Sequence, residues 1–235
     1  MSKLAPIVLA VDTPELSVAK EWVKATDGVI SVVKLGLEFY LTFGNDGVRE
    51  IADHCNSDIF LDLKLHDIPH TVSGAARAVA GLRPRFLTVH AAGGVAMVNA
   101  AAQSMPDTQI TGVTILTSLS EKDVADIGFK SHALDSAVGL AKIAVAGGAR
   151  AIVCSPLEIQ AIRAAVGESI NIITPGVRPA DSSLSDDQVR TMTPREAIDR
   201  GANYVVIGRP ITSSYAQGGQ AMRERAIELS EQILL

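Results

Sequence analysis

Between Ile59 and Val72 the chain reads IFLDLKLHDIPHTV. Three charged residues in that stretch, Asp62, Lys64 and Asp67, have types and spacing that could do chemistry. Charged groups held this close at one strand end can do electrostatic or acid–base chemistry. Side chains alternate faces along a strand, so Asp62 and Lys64 would share a face, with Cα atoms roughly 6.6 Å apart at about 3.3 Å per residue. Leu61, Leu63 and Leu65 would share the other. Burying charge is costly unless it is paired, and an isolated Asp-x-Lys would read as one structural ion pair at a strand edge. Here Asp67 follows at once, and Ile68-Pro69 ends the strand, because proline cannot donate to a ladder. Thr71 stands where a following helix would need its N-cap. Three charges at the mouth of one strand read as a site.

Such a site needs a scaffold, and the rest of the chain supplies one. Short β-like runs fall at Ile7–Val11, Val29–Leu35, Ile59–Leu65, Phe86–His90, Ile110–Leu116, Ala151–Cys154, Ile170–Ile173 and Tyr204–Ile207. Between them lie helix-like segments at Pro14–Ala25, Glu38–Asp53, Val72–Ala80, Val95–Ser104, Leu134–Ala146, Pro156–Val166, Pro194–Arg200 and Tyr215–Leu235. Thr13-Pro14 with Glu15, and Thr193-Pro194 with Glu196, carry helix-start signals. Gly81, Gly147-Gly148, Gly167 and Gly201 sit where helices should stop. Eight β-α units in 235 residues predict an α/β fold, a single parallel (β/α)8 barrel spanning residues 1–235, with an open doubly wound sheet as runner-up.

Composition narrows the function classes. Hydrophobic residues make up 47%, ample for one large core and contrary to disorder. The net charge of −5 argues against nucleic acid as a partner, so an anionic ligand would need a local cluster of positive groups. Cys55 and Cys154 match no metal or redox spacing and read as reduced and buried, in a cytoplasmic protein. The apolar run Leu4–Val11 is too short for a secretory signal, and no run approaches membrane-spanning length.

In a barrel, chemistry collects at the C-terminal strand ends, and the polar residues fall there. Asp12 ends the first strand, where simple helix capping competes as an explanation. Lys34 ends the second, inside an apolar run; a surface lysine that snorkels is the competing reading. His90 ends the fourth and reads first as a satisfied core residue. Thr117 and Ser120 follow the fifth; their hydroxyls either cap the next helix or meet a ligand's polar edge. Cys154-Ser155-Pro156 after the sixth reads as structural. Pro175-Gly176-Val177-Arg178 and Gly208-Arg209 close the seventh and eighth, where barrels bind phosphate through glycine N–H groups and a planar arginine fork. Gln188 lies in the polar segment Ala180–Arg190, which is either a solvated loop or a lid over the ligand.

The chain resembles the orotidine 5′-monophosphate decarboxylase family, of the bacterial kind, over nearly its whole length. The resemblance is carried most strongly by Asp62-Leu-Lys64-Leu-His-Asp67-Ile68-Pro69-His70-Thr71-Val72. Asp12, Lys34, Leu-Thr117-Ser, Thr-Pro175-Gly176-Val-Arg178, Asp-Gln188 and Ile-Gly208-Arg209-Pro-Ile-Thr support it. It implies a cofactor-free, metal-free lyase that converts orotidine 5′-monophosphate to UMP and CO2 as the last step of UMP biosynthesis. It implies an alternating network of Lys34, Asp62, Lys64 and Asp67, and a homodimer in which Asp67 and Thr71 reach the partner's active site. Asp12 and Lys34 would contact the ribose, Thr117 and Ser120 the pyrimidine or its neighbourhood, and Arg178, Gln188, Gly208 and Arg209 the phosphate. Two departures stand out: His70 replaces a common Asn, and the segment between Arg178 and Gln188 looks one residue longer than in relatives.

Without a dinucleotide fingerprint or a metal-ligand cluster in the sequence, the chemistry would rest on preorganised charge. Two rivals stand beside this reading. One is a Mg-dependent sugar-phosphate decarboxylase or aldolase of the same barrel group, which should carry an acidic metal ligand where this chain has Lys34. The other is a silent barrel that senses a phosphorylated nucleoside.

Overall fold

A computed structural model describes residues 4–179 and 192–234. Among these residues eight parallel strands close into a barrel in the order β1 to β8. They are β1 Ala5–Ala10, β2 Ile30–Leu35, β3 Asp58–Leu65, β4 Phe86–His90, β5 Gln109–Val113, β6 Ala151–Val153, β7 Asn171–Thr174 and β8 Tyr204–Ile207. The ring shuts where Ile7, Val8 and Leu9 pair with Val205, Val206 and Ile207. The helices are α1 Leu16–Thr26, α2 Leu37–Ala52, α3 Pro69–Ala80, α4 Gly94–Ser104, α5 Glu121–Asp126, α6 Ala133–Ala146, α7 Ile159–Val166, α8 Pro194–Asp199, α9 Arg209–Thr212 and α10 Gly219–Leu234.

The two-residue period of a strand sorts the side chains. One set points out and packs under the helices: Ile7, Leu9, Val33, Leu35, Leu61, Leu87, Val89 and Ile172 are all buried there. The other set points in. Val8, Val32, Phe60, Phe86, Ala151 and Ile173 fill the barrel, with Val153, Tyr204 and Val206 against them. Phe60 and Phe86 lie 5.5 Å apart, centre to centre. The N-terminal end is stoppered by Arg85. Its guanidinium lies 5.3 Å from the Phe86 ring centre and 5.5 Å from that of Tyr204, donates to the Tyr204 hydroxyl at 2.7 Å, and pairs with Asp58. Each inward row therefore starts on a sealed apolar floor and climbs in steps of two toward the C-terminal ends.

Several local expectations change. Thr13 does not cap α1: its Oγ1 accepts from the N–H of Glu15 at 3.3 Å, and the helix begins at Leu16 with no side-chain cap. Thr71 is not an N-cap either. α3 starts at Pro69, whose fixed φ suits a first turn, so Thr71 lies within the helix. Thr193 does form a full capping box with Glu196. The fifth strand stops at Val113 rather than Leu116, and the short α5 follows it. The last helical segment breaks at Gly218 (φ 104°), separating a 3-10 turn, Ser213–Gln217, from α10. Cys154 is buried, but Cys55 is only partly so.

Candidate active site

One step past the apolar floor, the inward rows turn polar. Val8 is followed on the same face by Ala10 and Asp12, Val32 by Lys34, Phe60 by Asp62 and Lys64, and Phe86 by Thr88 and His90. Ala10, Asp12, Lys34, Phe60, Asp62 and Lys64 of these rows open onto a cavity of about 550 Å3 at the C-terminal mouth, within the range of small-molecule sites. Asp12, Lys34, Asp62, Lys64, Thr117, Pro175, Arg178, Gly208 and Arg209 all line it. Of the other expected residues, Asp67, Thr71 and Ser120 do not line it, and Gln188 lies outside the described residues.

The charges alternate within one chain. Lys34 Nζ stands 3.6 Å from Asp12 Oδ1 and 3.4 Å from Asp62 Oδ2, and Lys64 Nζ donates to Asp62 Oδ1 at 2.8 Å. At these separations and an effective dielectric of about 20, each contact gains about 4–6 kcal/mol before desolvation, which is of the same order as the cost of taking the charges from water. The row is therefore near balance as a whole: Lys34 and Asp62 in its middle each face two opposite charges, and loss of either end member leaves its neighbour with one. Burial alone would raise the Asp62 pKa. The Lys34 and Lys64 ammoniums, with hydrogen bonds from Lys64 and Thr88, outweigh it and hold the carboxyl below its ordinary value. Asp62 is therefore a carboxylate at neutral pH.

Lys64 is not in regular strand conformation. Its φ is +48°, a left-handed backbone that a non-glycine residue adopts at a cost, and the β3–β4 register shifts between Leu61 and Leu65. The extended geometry expected from the alternation thus ends one residue short of the ammonium. Gly36 lies beside the row. A Cβ there would come within 3.2 Å of Asp12 Oδ1 and 3.3 Å of Lys34 Nζ, so a side chain at position 36 would make the pair give by a few tenths of an ångström.

The opposite side of the mouth is built differently. Val113 at the end of β5, Ile115 and Leu116 just after it, and Val153 and Cys154 at the end of β6 give an apolar wall. Gly176 has φ 81°, which glycine adopts freely, and it turns the chain so that Arg178 lines the cavity. Gly208 packs its backbone against Ala10, whose Cβ would be 3.4 Å from an added methyl, and Arg209 opens α9 beside it. The pocket thus offers an alternating charge row on β1–β3, an apolar wall on β5–β6, and glycines with two arginines on β7–β8. That combination fits a flat organic body carrying a remote anionic group.

The remaining expected residues have local roles. The Ser120 hydroxyl accepts from the N–H of Asp123 at 3.2 Å and donates to its carboxylate at 2.6 Å, so the capping reading holds for Ser120. Asp67 Oδ1 accepts from the N–H of Ile68 at 2.6 Å, on the exposed turn before α3. The His90 ring lies 5.3 Å from that of His66, centre to centre, and burial, with the neighbouring His66 and Lys64, lowers its pKa. Gly36, Thr88 and the apolar wall were not singled out from the sequence. The available signal was the two-residue period itself, which places Thr88 on the same inward row as His90.

Fold and site together define the class: a (β/α)8 barrel with a charged pocket at the C-terminal ends of its strands. A sequence profile of the orotidine 5′-phosphate decarboxylase / HUMPS family matches residues 5–224, and the chain belongs to that family. It is 49% identical to an orotidine 5′-phosphate decarboxylase of Thermobifida fusca over 217 residues, 92% of this chain and 93% of that one. A second relative with that name, from Wolbachia pipientis, is 44% identical, covering 89% of this chain and 92% of its own length. Among solved structures, orotidine 5′-phosphate decarboxylase from Lactobacillus acidophilus superposes with a TM-score of 0.80 at 33% identity, covering 96% of this chain and 99% of that one.

Proposed function

We propose that this chain decarboxylates orotidine 5′-monophosphate to UMP and CO2, the closing step of UMP biosynthesis. The observation that carries the reading is the Asp12–Lys34–Asp62–Lys64 row, set in one cavity with Arg178, Gly208 and Arg209. In the proposed reaction the bond from C6 to the carboxylate breaks and its electron pair stays on C6. The Lys64 ammonium stabilises that carbanion and then gives it a proton, leaving UMP and a neutral Lys64 that is reprotonated from solvent. Asp62 holds Lys64 aimed and lies beside the departing carboxylate. Lys34 keeps Asp62 ionised. Arg178 and Arg209 hold the phosphate, far from C6, and supply binding energy for positioning. Asp12 and Lys34 face the ribose, and Thr117 faces the pyrimidine.

The second-strand end separates this reaction from Mg-dependent sugar-phosphate chemistry. Lys34 there would repel a divalent cation, and it already holds two carboxylates. Among the described residues no cluster of three or more His, Cys, Asp or Glu side chains is placed to bind a metal.

In this reading the enzyme is a homodimer. Asp67, on the exposed turn before α3, and Thr71, in the first turn of α3, lie outside their own chain's cavity; Ile68 between them is 65% exposed, and Leu41 on α2 is 79% exposed. Exposed apolar side chains such as these, with Asp67 outside its own cavity, fit a face covered by a second copy, with Asp67 and Thr71 completing the partner's site. No helix among the described residues is long and apolar enough to cross a membrane, and the two free cysteines fit a cytoplasmic location.

The test is the ultraviolet absorbance of orotidine 5′-monophosphate with the purified protein and excess EDTA. Rapid catalytic loss of the orotate band is the expected result. No loss, with turnover of a sugar phosphate on adding Mg2+, would overturn the reading. Tight UMP binding without turnover of either substrate would leave a sensor instead.

A further inference from the structure

Thr88 lies on β4 with none of its surface exposed, and its side chain makes two hydrogen bonds that converge on the charge row. Its Oγ1 accepts from the backbone N–H of Lys64 at 2.8 Å, and its hydroxyl donates to Asp62 Oδ1 at 3.0 Å. The directions are fixed by chemistry. An ionised carboxylate only accepts and a backbone N–H only donates, so the single Thr88 proton must point at Asp62 and a lone pair at Lys64. The same Asp62 oxygen accepts from Lys64 Nζ at 2.8 Å. One hydroxyl thus touches both ends of the reacting pair: the backbone of the residue that would carry the proton, and the carboxylate that aims its side chain.

This matters because Lys64 sits at φ +48°, where a non-glycine backbone is held only if its surroundings insist on it. The regular ladder gives no hold there, since the β3–β4 register slips between Leu61 and Leu65. The Thr88 hydroxyl bridges that slip.

We propose that Thr88 is a positioning residue for the decarboxylation. Its hydroxyl pins the strained backbone of Lys64 and the carboxylate of Asp62 in one geometry, so that the ammonium is aimed before substrate arrives. This rests on the reading of the chain as an orotidine 5′-monophosphate decarboxylase. Thr88 is fully buried and does not line the cavity, whereas Asp62 and Lys64 do, so it acts through them. Removing the hydroxyl also removes one of the interactions that hold the Asp62 carboxyl low.

The test compares Thr88→Val, which keeps the shape without the hydroxyl, with Thr88→Ser, which keeps the hydroxyl. Thr88→Ala replaces the valine variant if circular dichroism shows that the latter does not fold. Loss of the hydroxyl should lower kcat about 10- to 100-fold, the scale of a slightly misplaced reacting group, with KM within about twofold because the phosphate grip is untouched. The serine variant should keep most of the activity. In the ligand-free protein, the Asp62 carboxyl, followed by NMR titration, should take up its proton at higher pH in the hydroxyl-less variant, and the Lys64 amide should exchange faster. Unchanged kcat in that variant, equal losses in the serine and valine variants, or an unmoved Asp62 titration would each overturn the proposal. Should the wild-type protein not turn over orotidine 5′-monophosphate, the functional reading fails, and the ligand-free titration and exchange still decide whether Thr88 holds the pair.

Discussion

Lys34 on β2 meets Asp62 on β3 at 3.4 Å, with side chains only 12% and 14% exposed. The strands that carry them are hydrogen-bonded neighbours, Lys34 lying opposite Phe60 in the ladder. Lys34→Met keeps the stem and deletes the charge. It should reduce kcat by about 10²-fold or more, as loss of a preorganised charge does, and addition of Mg2+ should not restore turnover of any sugar phosphate. Steady-state kinetics with and without the metal check both statements.

Acid should act through Asp62. Its pKa is lower in the folded chain than in the unfolded one, so the group contributes stability that is fully present above the unfolded value of about 3.9 and is lost as pH falls through the lower folded value. The stability gap between wild type and Asp62→Asn should therefore narrow as pH drops from about 5 toward 2. Urea melts across that range measure the gap, and a gap independent of pH would show that Asp62 is not held ionised by its neighbours.

Space at position 36 is a separate lever. Gly36→Ala would push a methyl within 3.2–3.3 Å of the Asp12 carboxylate and the Lys34 ammonium, so it should lower kcat about tenfold with little loss of fold. Gly81→Ala, at a position with nothing within 4 Å of the added methyl, is the control and should behave as wild type. The two kcat values, compared with melting temperatures, separate a local effect from a global one.

How much of this was readable in the sequence follows from what each feature depends on. The barrel was legible because eight β-α alternations fill the chain, and its strand ends at Phe86–His90 and Tyr204–Ile207 came out to the residue. Asp62, Lys64, Lys34, Arg178 and Arg209 were legible because charges at the ends of apolar strands are conspicuous. Thr88 was not, since a threonine inside a strand is ordinary and only its contacts across to β3 mark it. The left-handed backbone at Lys64 was also hidden, because nothing in Asp-Leu-Lys-Leu announces it. Thr13 and Thr71 misled for a simpler reason. Pro69, two residues before Thr71, starts α3 with its fixed φ, whereas α1 begins only at Leu16, beyond the Thr13-Pro14 pair.

The proposed composite site makes its own prediction. Asp67→Ala and Lys64→Ala, each inactive alone, should regain some activity on mixing and refolding, because half of the heterodimer's sites then carry no substitution. Activity assays beside native mass spectrometry test it. Heterodimers that form and stay inactive would remove Asp67 from the partner's site.

Lys64 itself bears the central claim. Lys64→Ala should fold as wild type by circular dichroism, bind UMP through Arg178, Gly208 and Arg209, and decarboxylate orotidine 5′-monophosphate at least about 10³-fold more slowly in single-turnover assays. A folded Lys64→Ala protein that turns substrate over within about tenfold of the wild-type rate would contradict the assignment of the ammonium as the group that meets the C6 carbanion.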